Sequence, residues 1–440
     1  MIKYQNYKGI NILWAKEIPS HWHICRISSI FGIRREKNKP VRTKEVLSLS
    51  ARYGVSLYSD RKEKGGNKPK EDFSSYNLCY PGDILVNCMN IVSGAVGISK
   101  YFGAVSPVYY PLVNLDKEKY DTRFMEYIFR NYNFQRGLVG IGKGIQMSEA
   151  EDGRLFTVRM RISWENLKVQ MLIVPPLEEQ RLIANYLDWK IREIDKLIEL
   201  EKQKIDELKV LRQQFIDKII ESLDYDYIPF KAIFDLGKGL SITKDNLGLT
   251  GVKCINYGEI HGDFKFSFYS SDNRLKKLEK ITGVTISAYA NLEYGNFIFA
   301  DTSEDIDGCG NFTYLEDSIE KVFAGYHTIV GKLKLPLNCR YLAYYFESEK
   351  WRKQVRQKVK GVKVFSITQA ILKSTKIQLP NHTIQNNIVN ILDNYINENN
   401  KLNNCIDKKI NNLIKLKQSL ISEVVTGQID VRNVKIPERK

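Results

Sequence analysis

The sequence predicts an α+β protein of two globular heads, each followed by a long helix, with the two helices pairing as a coiled coil. Three observations lead there. A gap-free repeat at an offset of 205 residues links two stretches of more than 40 residues: Pro175 matches Pro380, Gln180 matches Gln385, and Leu187-Asp188 match Leu392-Asp393. Both stretches space their apolar residues in three- and four-residue steps, the mark of a heptad seam. The segments ahead of them share only a skeleton, as two different heads on two constant arms would.

The elements follow in order. Residues 1–174 form the first head. Trp22 and the pair Ile30-Phe31 open it, and Gly82-Asp83 reads as a tight turn entering a buried strand at Ile84-Leu85-Val86. Met125 to Arg130 reads as a short aromatic helix, and Leu172-Ile173-Val174 as the last strand. Pro175 and Pro176 stop that strand, and Glu178 and Glu179 place acid at the positive end of the helix that follows. This first long helix occupies 175–224, with Ile183, Leu187, Ile191, Ile194 and Ile198 on its seam. Within that span a helix from about 177 to 222, free of internal Pro and Gly, would reach ~69 Å at ~1.5 Å per residue. The second head, 225–379, repeats the skeleton: Tyr225 with Ile233-Phe234, a turn at Gly295-Asn296 before Phe297-Ile298-Phe299, and a short helix from Leu342 to Glu347. The second long helix, 380–427, has Asn381 as N-cap, a seam through Ile388, Leu392 and Ile396, and Gly427 as terminator. Asn399 and Asn403 near this seam could fix register. Residues 428–440 are a basic tail.

Composition bounds the function. The 440 residues are 43% hydrophobic and 27% charged, with 67 Lys+Arg against 51 Asp+Glu, a net charge of +16. That is ordinary globular composition with the charge of a polyanion binder. The charge sits on the heads: +11 over 1–176 and +5 over 225–380, against −3 over the first helix and +3 over 381–440. No stretch approaches the ~18 apolar residues of a membrane span, and the first ten residues lack a signal core. Seven scattered Cys without a CxxC pair and five His without metal spacing argue against disulfides and zinc, and place the chain in the cytoplasm.

Motifs for catalysis are missing. Gly137 to Gly144 nearly spells a phosphate loop but has Gly144 where Ser or Thr should hold Mg²⁺. There is no [DN]PP[YF] tetrapeptide of an amino-methyltransferase. Glu207-Leu208-Lys209 has the final spacing of a PD-(D/E)xK nuclease but lies inside the helix. No GxSxG or HExxH occurs. The chain is read as non-catalytic, with no metal site.

Basic and polar-aromatic loops remain as candidates. Arg34, Arg35, Lys37, Lys39, Arg42 and Lys44 form one run, and Arg61, Lys62, Lys64, Lys68 and Lys70 another. As sets they suit phosphate contacts, although any single Lys is as readily a solvated surface residue. Base reading needs Arg, Asn or Gln on a rigid support. Arg52-Tyr53-Gly54 and Asn256-Tyr257-Gly258 follow similar strands in the two heads. Lys143 and Gln146 accompany the Gly-rich loop, and Lys358, Lys360 and Lys363 occupy the comparable late loop of the second head. Each could equally be an ordinary turn residue.

A head leading into Pro175-Pro176-Leu-Glu-Glu-Gln180 and a heptad helix, with both repeated, resembles the specificity subunit of a Type I restriction-modification system. The resemblance runs from Trp22 to about Gly427 and includes the closing Leu420-Ile421-Ser-Glu-Val-Val-Thr-Gly427. In the second copy of the proline-rich motif only Pro380 and Gln385 survive. The resemblance implies two target-recognition domains, each reading half of a split, asymmetric site on double-stranded DNA. It implies paired helices that act as a ruler and as a dock for two adenine methyltransferase subunits, with Gln180, Ile183, Leu187, Gln385, Ile388 and Leu392 as helix-partner positions. A separate restriction and translocase subunit completes the complex. S-adenosylmethionine, ATP and Mg²⁺ belong to those partners, so the chain itself needs no cofactor. The alternatives from other classes are a coiled-coil scaffold with protein-binding heads and a stand-alone DNA-modifying enzyme.

Overall fold

The computed structural model describes residues 2–61, 68–143, 147–149, 155–157, 160–280, 286–361 and 363–437. The chain divides into two compact units, Met1–Lys202 with Ile406–Lys440, and Gln203–Cys405.

In the first unit a four-stranded antiparallel sheet runs in the order Phe31–Ile33, Tyr109–Asn114, Ile84–Asn87, Val96–Ile98. The strand Ile84–Asn87 is buried along its whole length. Gly82 enters it at φ +91°, a conformation that favours glycine. A hairpin pairs Leu47–Ser50 with Gly54–Leu57, and Met171–Val174 pairs antiparallel with His23–Arg26. That last pair ties the end of the head to its beginning, directly before the first long helix, Leu177–Glu221.

The second unit has a five-stranded sheet in the order Phe234–Lys238, Thr328–Leu333, Phe297–Ala300, Phe312–Leu315, Phe266–Phe268, parallel only at its last pair. Gly295, at φ +77°, enters the central strand as Gly82 does in the first unit. A four-stranded sheet joins Leu247–Gly248, Lys276–Leu278, Val252–Ile255 and Val322–Ala324. The core is aromatic. Phe230 stacks on Phe234 at 4.5 Å, and Phe297, Phe299, Phe346 and Trp351 close around them. Truncating any one of these rings to Ala is expected to cost about 3–5 kcal/mol.

The second long helix spans His382–Val425. Asn381 caps it, its Oδ1 accepting from Ile384 N at 3.0 Å. Gly427 ends it at φ +73°, where a Cβ would meet Pro19 Cδ at 2.4 Å. Within each unit, parts of the two long helices lie side by side and antiparallel. In the first, Lys417 Nζ meets Asp195 Oδ1 and Lys409 Nζ meets Glu201 Oε1, both at 2.7 Å. In the second, Phe215 stacks on Tyr395 at 3.9 Å, and buried Asn399 donates from Nδ2 to Leu208 O at 3.2 Å. Asn403 donates in turn to Asn399 Oδ1 at 3.2 Å. No helix among the described residues is long and apolar enough to cross a membrane.

Candidate nucleic-acid interface

Each head is fastened to a long helix by a similar set of bonds. A short helix begins at Asp121 in the first unit and at Asn338 in the second, each side chain capping the first turn. The buried Gln180 side chain reaches this corner. Its Oε1 accepts from Asp121 N at 2.8 Å, and its Nε2 donates to Lys119 O at 3.0 Å and to Pro175 O at 2.8 Å. Gln385 repeats the arrangement, accepting from Asn338 N at 3.2 Å and donating to Pro380 O at 2.8 Å. Two turns further on, Asp188 accepts from Arg123 Nη1 at 3.0 Å and Tyr127 Oη at 2.6 Å. Asp393 accepts from Arg340 Nε at 2.7 Å and from Tyr344 Oη. Burial and the adjacent aspartate push both tyrosine phenols up, so each stays a donor.

Sequence reasoning missed the Arg-x-x-x-Tyr halves of these joints. The signal was present, since both pairs fall at helical spacing, with each arginine two residues ahead of the short helix read from the sequence. Ile183, Leu187 and Leu392 are fully buried and Ile388 nearly so. Gln180 and Gln385 are likewise buried against their own heads. In the first unit Glu179 adds a further anchor, accepting from Trp22 Nε1 at 2.9 Å and Tyr4 Oη at 3.1 Å and meeting His21 Nε2 at 2.6 Å. Tyr7 Oη bonds Gly427 O at 2.8 Å, so the two end motifs of the chain meet beside the N-terminal segment.

The candidate reading residues sort by what already holds them. Arg34 is spent internally: its Nε and Nη2 grip Asp83 at 2.8 and 3.0 Å, and its guanidinium lies 4.4 Å from the Tyr80 ring. Asn256 is fully buried, bonds Glu259 through both its backbone N and Nδ2 at 2.9 Å, and accepts from Tyr326 N. It caps a short helix and has no face for a base edge, which corrects the expectation that it reads DNA. The exposed candidates are Arg35, Lys37, Lys39, Arg52, Tyr53, Lys68, Lys143, Lys358, Lys360 and Lys363. Lys37 and Lys358 touch backbone carbonyls through Nζ, at Ser75 and Ser374. Arg61 lies 4.1 Å over the Tyr58 ring, and Arg52 5.1 Å over Tyr53. Lys62, Lys64 and Gln146 lie outside the described residues.

Arg52 and Tyr53 form the tip of the 47–57 hairpin and border a cleft of about 670 Å³, with Arg130, Gln135, Lys202 and Lys417 on its other walls. In the second head Tyr257 borders a smaller cleft of about 480 Å³ with His261, Lys265 and Asn311. His261 is locked between Thr302 O and Asn311 Nδ2, at 2.8 and 2.9 Å. No group of side chains suited to a metal ion occurs among the described residues. These surfaces offer cations, rings and amides at fixed positions, which suits contact with phosphate and base edges.

Comparison with known proteins agrees with this geometry. Residues 232–412 match the family described as the Type I restriction modification DNA specificity domain. Among solved structures, a chain of a type I R-M system, described for its complex assembly and conformational transition, is similar in fold with a TM-score of 0.65 at 13% identity. The similarity covers 94% of this chain and all of that one. The HsdS subunit from Thermoanaerobacter tengcongensis aligns over 94% of this chain and 98% of its own, at 13% identity and a TM-score of 0.48. The family match thus lies in the second half of the chain, over residues 232–412, and the fold of the type I R-M system chain is followed along nearly the whole length.

Proposed function

We propose that this subunit selects an asymmetric bipartite DNA site, each head reading one half. Two adenine methyltransferase subunits dock along its helices, and a restriction and translocase subunit joins that core. Methylation, ATP hydrolysis and cleavage reside in those partners. The observation that carries the reading is the repeated joint. Gln180 with Asp188, and Gln385 with Asp393, fasten two heads of different surface to helices of common pattern. A constant joint bearing variable heads suits independent recognition of two half-sites.

Within this reading Arg35, Lys37, Lys39, Lys68 and Lys143 position the first head on phosphate, and Lys358, Lys360 and Lys363 the second. Arg52 with Tyr53, at a hairpin tip, and Tyr257, at a cleft wall, face bases.

The test is single-molecule methylome sequencing of cells with and without this chain, in the presence of its methyltransferase. Adenine methylation on a split, asymmetric motif that appears only with the chain supports the reading. A contiguous or palindromic motif, or none while the methyltransferase works with another specificity subunit, refutes it. Replacing residues 225–379 by another member's second head should change one half-site alone.

A further inference from the structure

Two arginines on the loops of the heads are exposed, lie over an aromatic ring and are braced by a carboxylate. Arg42 lies between the strands Phe31–Ile33 and Leu47–Ser50. Its backbone N is held by the buried Asn38 side chain at 2.7 Å, and its Nη1 is engaged by Glu36. Its guanidinium lies 5.7 Å from the Phe102 ring and 6.0 Å from Tyr80. Arg274 lies between the strands Phe266–Phe268 and Lys276–Leu278. Its backbone N bonds Asp272 Oδ1 at 2.8 Å, and Nε and Nη2 grip the same carboxylate at 3.1 and 2.6 Å. The ring of Phe264 lies 4.8 Å beneath it. The side chains are 47% and 62% exposed. Arg340 and Arg432 are braced similarly, but they hold the joint at Asp393 and the N-terminal corner at Tyr4.

Bracing changes what an arginine can do. The carboxylate cancels most of the local charge, which weakens attraction to phosphate. It also fixes the guanidinium plane before DNA arrives, so less side-chain freedom is lost on contact. The bracing carboxylate leaves a two-donor edge untaken in each case: Nε and Nη2 on Arg42, Nη1 and the second hydrogen of Nη2 on Arg274. Such an edge matches the paired acceptors N7 and O6 of guanine in the major groove. Arg35, Lys39 and Lys363 are exposed cations of the kind that suits phosphate.

Resting on the function proposed above, we infer that Arg42 in the first head and Arg274 in the second each read one guanine, one in each half-site. Asp272 and Glu36 act as positioning residues. The test measures binding of the full chain with its methyltransferase to the cognate duplex, and to duplexes in which each guanine is replaced in turn. The proteins compared are the wild type, Arg42→Lys and Arg274→Lys, with Glu36→Gln and Asp272→Asn as milder variants. Lysine keeps the charge and loses the fork. Wild type should lose about 5- to 150-fold at one guanine per half-site. Arg274→Lys should discriminate less than about twofold at its guanine, with the other half-site read normally as an internal control of folding, and the salt slope should stay unchanged. Asp272→Asn should blunt the same position partially. A variant that discriminates every base as well as wild type overturns the assignment for that head. So does uniform weakening across all duplexes, which marks a phosphate contact. If wild type itself prefers no sequence, the reading of the chain as the specificity determinant falls first.

Discussion

Gln180→Ala tests the joint between the first head and its helix. The substitution removes three hydrogen bonds at 2.8, 3.0 and 2.8 Å and leaves one amide and two carbonyls without their partner in a buried corner. At about 1 kcal/mol net for each bond, the loss is about 3 kcal/mol before any cavity contribution. Gln385→Ala removes two bonds, one of them longer at 3.2 Å, and should cost about 2 kcal/mol. Native-state hydrogen exchange reads each joint separately. In Gln180→Ala the Asp121 amide should lose protection by about two orders of magnitude, while Asn338 keeps its own. Gln385→Ala should do the reverse, to a smaller extent. A change below about 0.5 kcal/mol at Asp121, or equal losses at both amides, would refute the view that each glutamine clamps its own head.

Three further expectations follow from the same geometry. Asn399→Leu exchanges a buried polar contact to Leu208 O for apolar packing. It should raise the urea midpoint of the second unit, and a lowered midpoint would mean the amide stabilises the pair. Asp430 is held below its ordinary value chiefly by the side-chain bonds of Arg432. A depressed carboxylate contributes stability that is present above the unfolded value of about 3.9 and is lost as pH falls through the folded one, so Asp430→Asn should flatten the acid limb of a urea-midpoint profile below about pH 4. Burial pushes the Cys79 and Cys254 thiols up to about 12, whereas Cys405 is exposed on the second long helix. Alkylation followed by peptide mass spectrometry should therefore find Cys405 modified first, and early labelling of Cys254 would contradict its packing.

The long helices were legible because their signal is local: a heptad seam, a proline stop, an Asn cap and a closing glycine all lie within one continuous stretch. The observed Leu177–Glu221 and His382–Val425 follow that pattern. The turns at Gly82 and Gly295 were legible for the same reason, since a strand entered at positive φ leaves a glycine in the sequence. Sheet order was not legible. The strand Tyr109–Asn114 sits between partners starting at residues 31 and 84, and Phe266–Phe268 runs parallel to Phe312–Leu315, pairings that no periodicity announces. The fate of each basic side chain was equally hidden. Arg34 and Arg42 belong to one charged run, yet Arg34 is 25% exposed and clamped to the nearly buried Asp83, while Arg42 is 47% exposed and paired with the more exposed Glu36. The difference lies in which loop carboxylate each guanidinium meets, and that is a tertiary fact.

The joint also accounts for where the two proline-rich motifs agree and where they differ. Gln180 and Gln385 bond only backbone groups, of the heads and of the prolines that open the motifs, so the contact depends on the path of the chain and is indifferent to the side chains it carries. Heads can then diverge without loosening their attachment. The preceding position is different, because it bonds side chains. In the first unit Glu179 collects the donors of Tyr4, Trp22 and His21 from the opening segment of the first head. The matching position in the second unit is Ile384, packed partly buried against the aromatic core, where a carboxylate would be desolvated without those three donors. The two motifs therefore share the residue whose partners are backbone and differ at the one whose partners, in the first unit, are side chains.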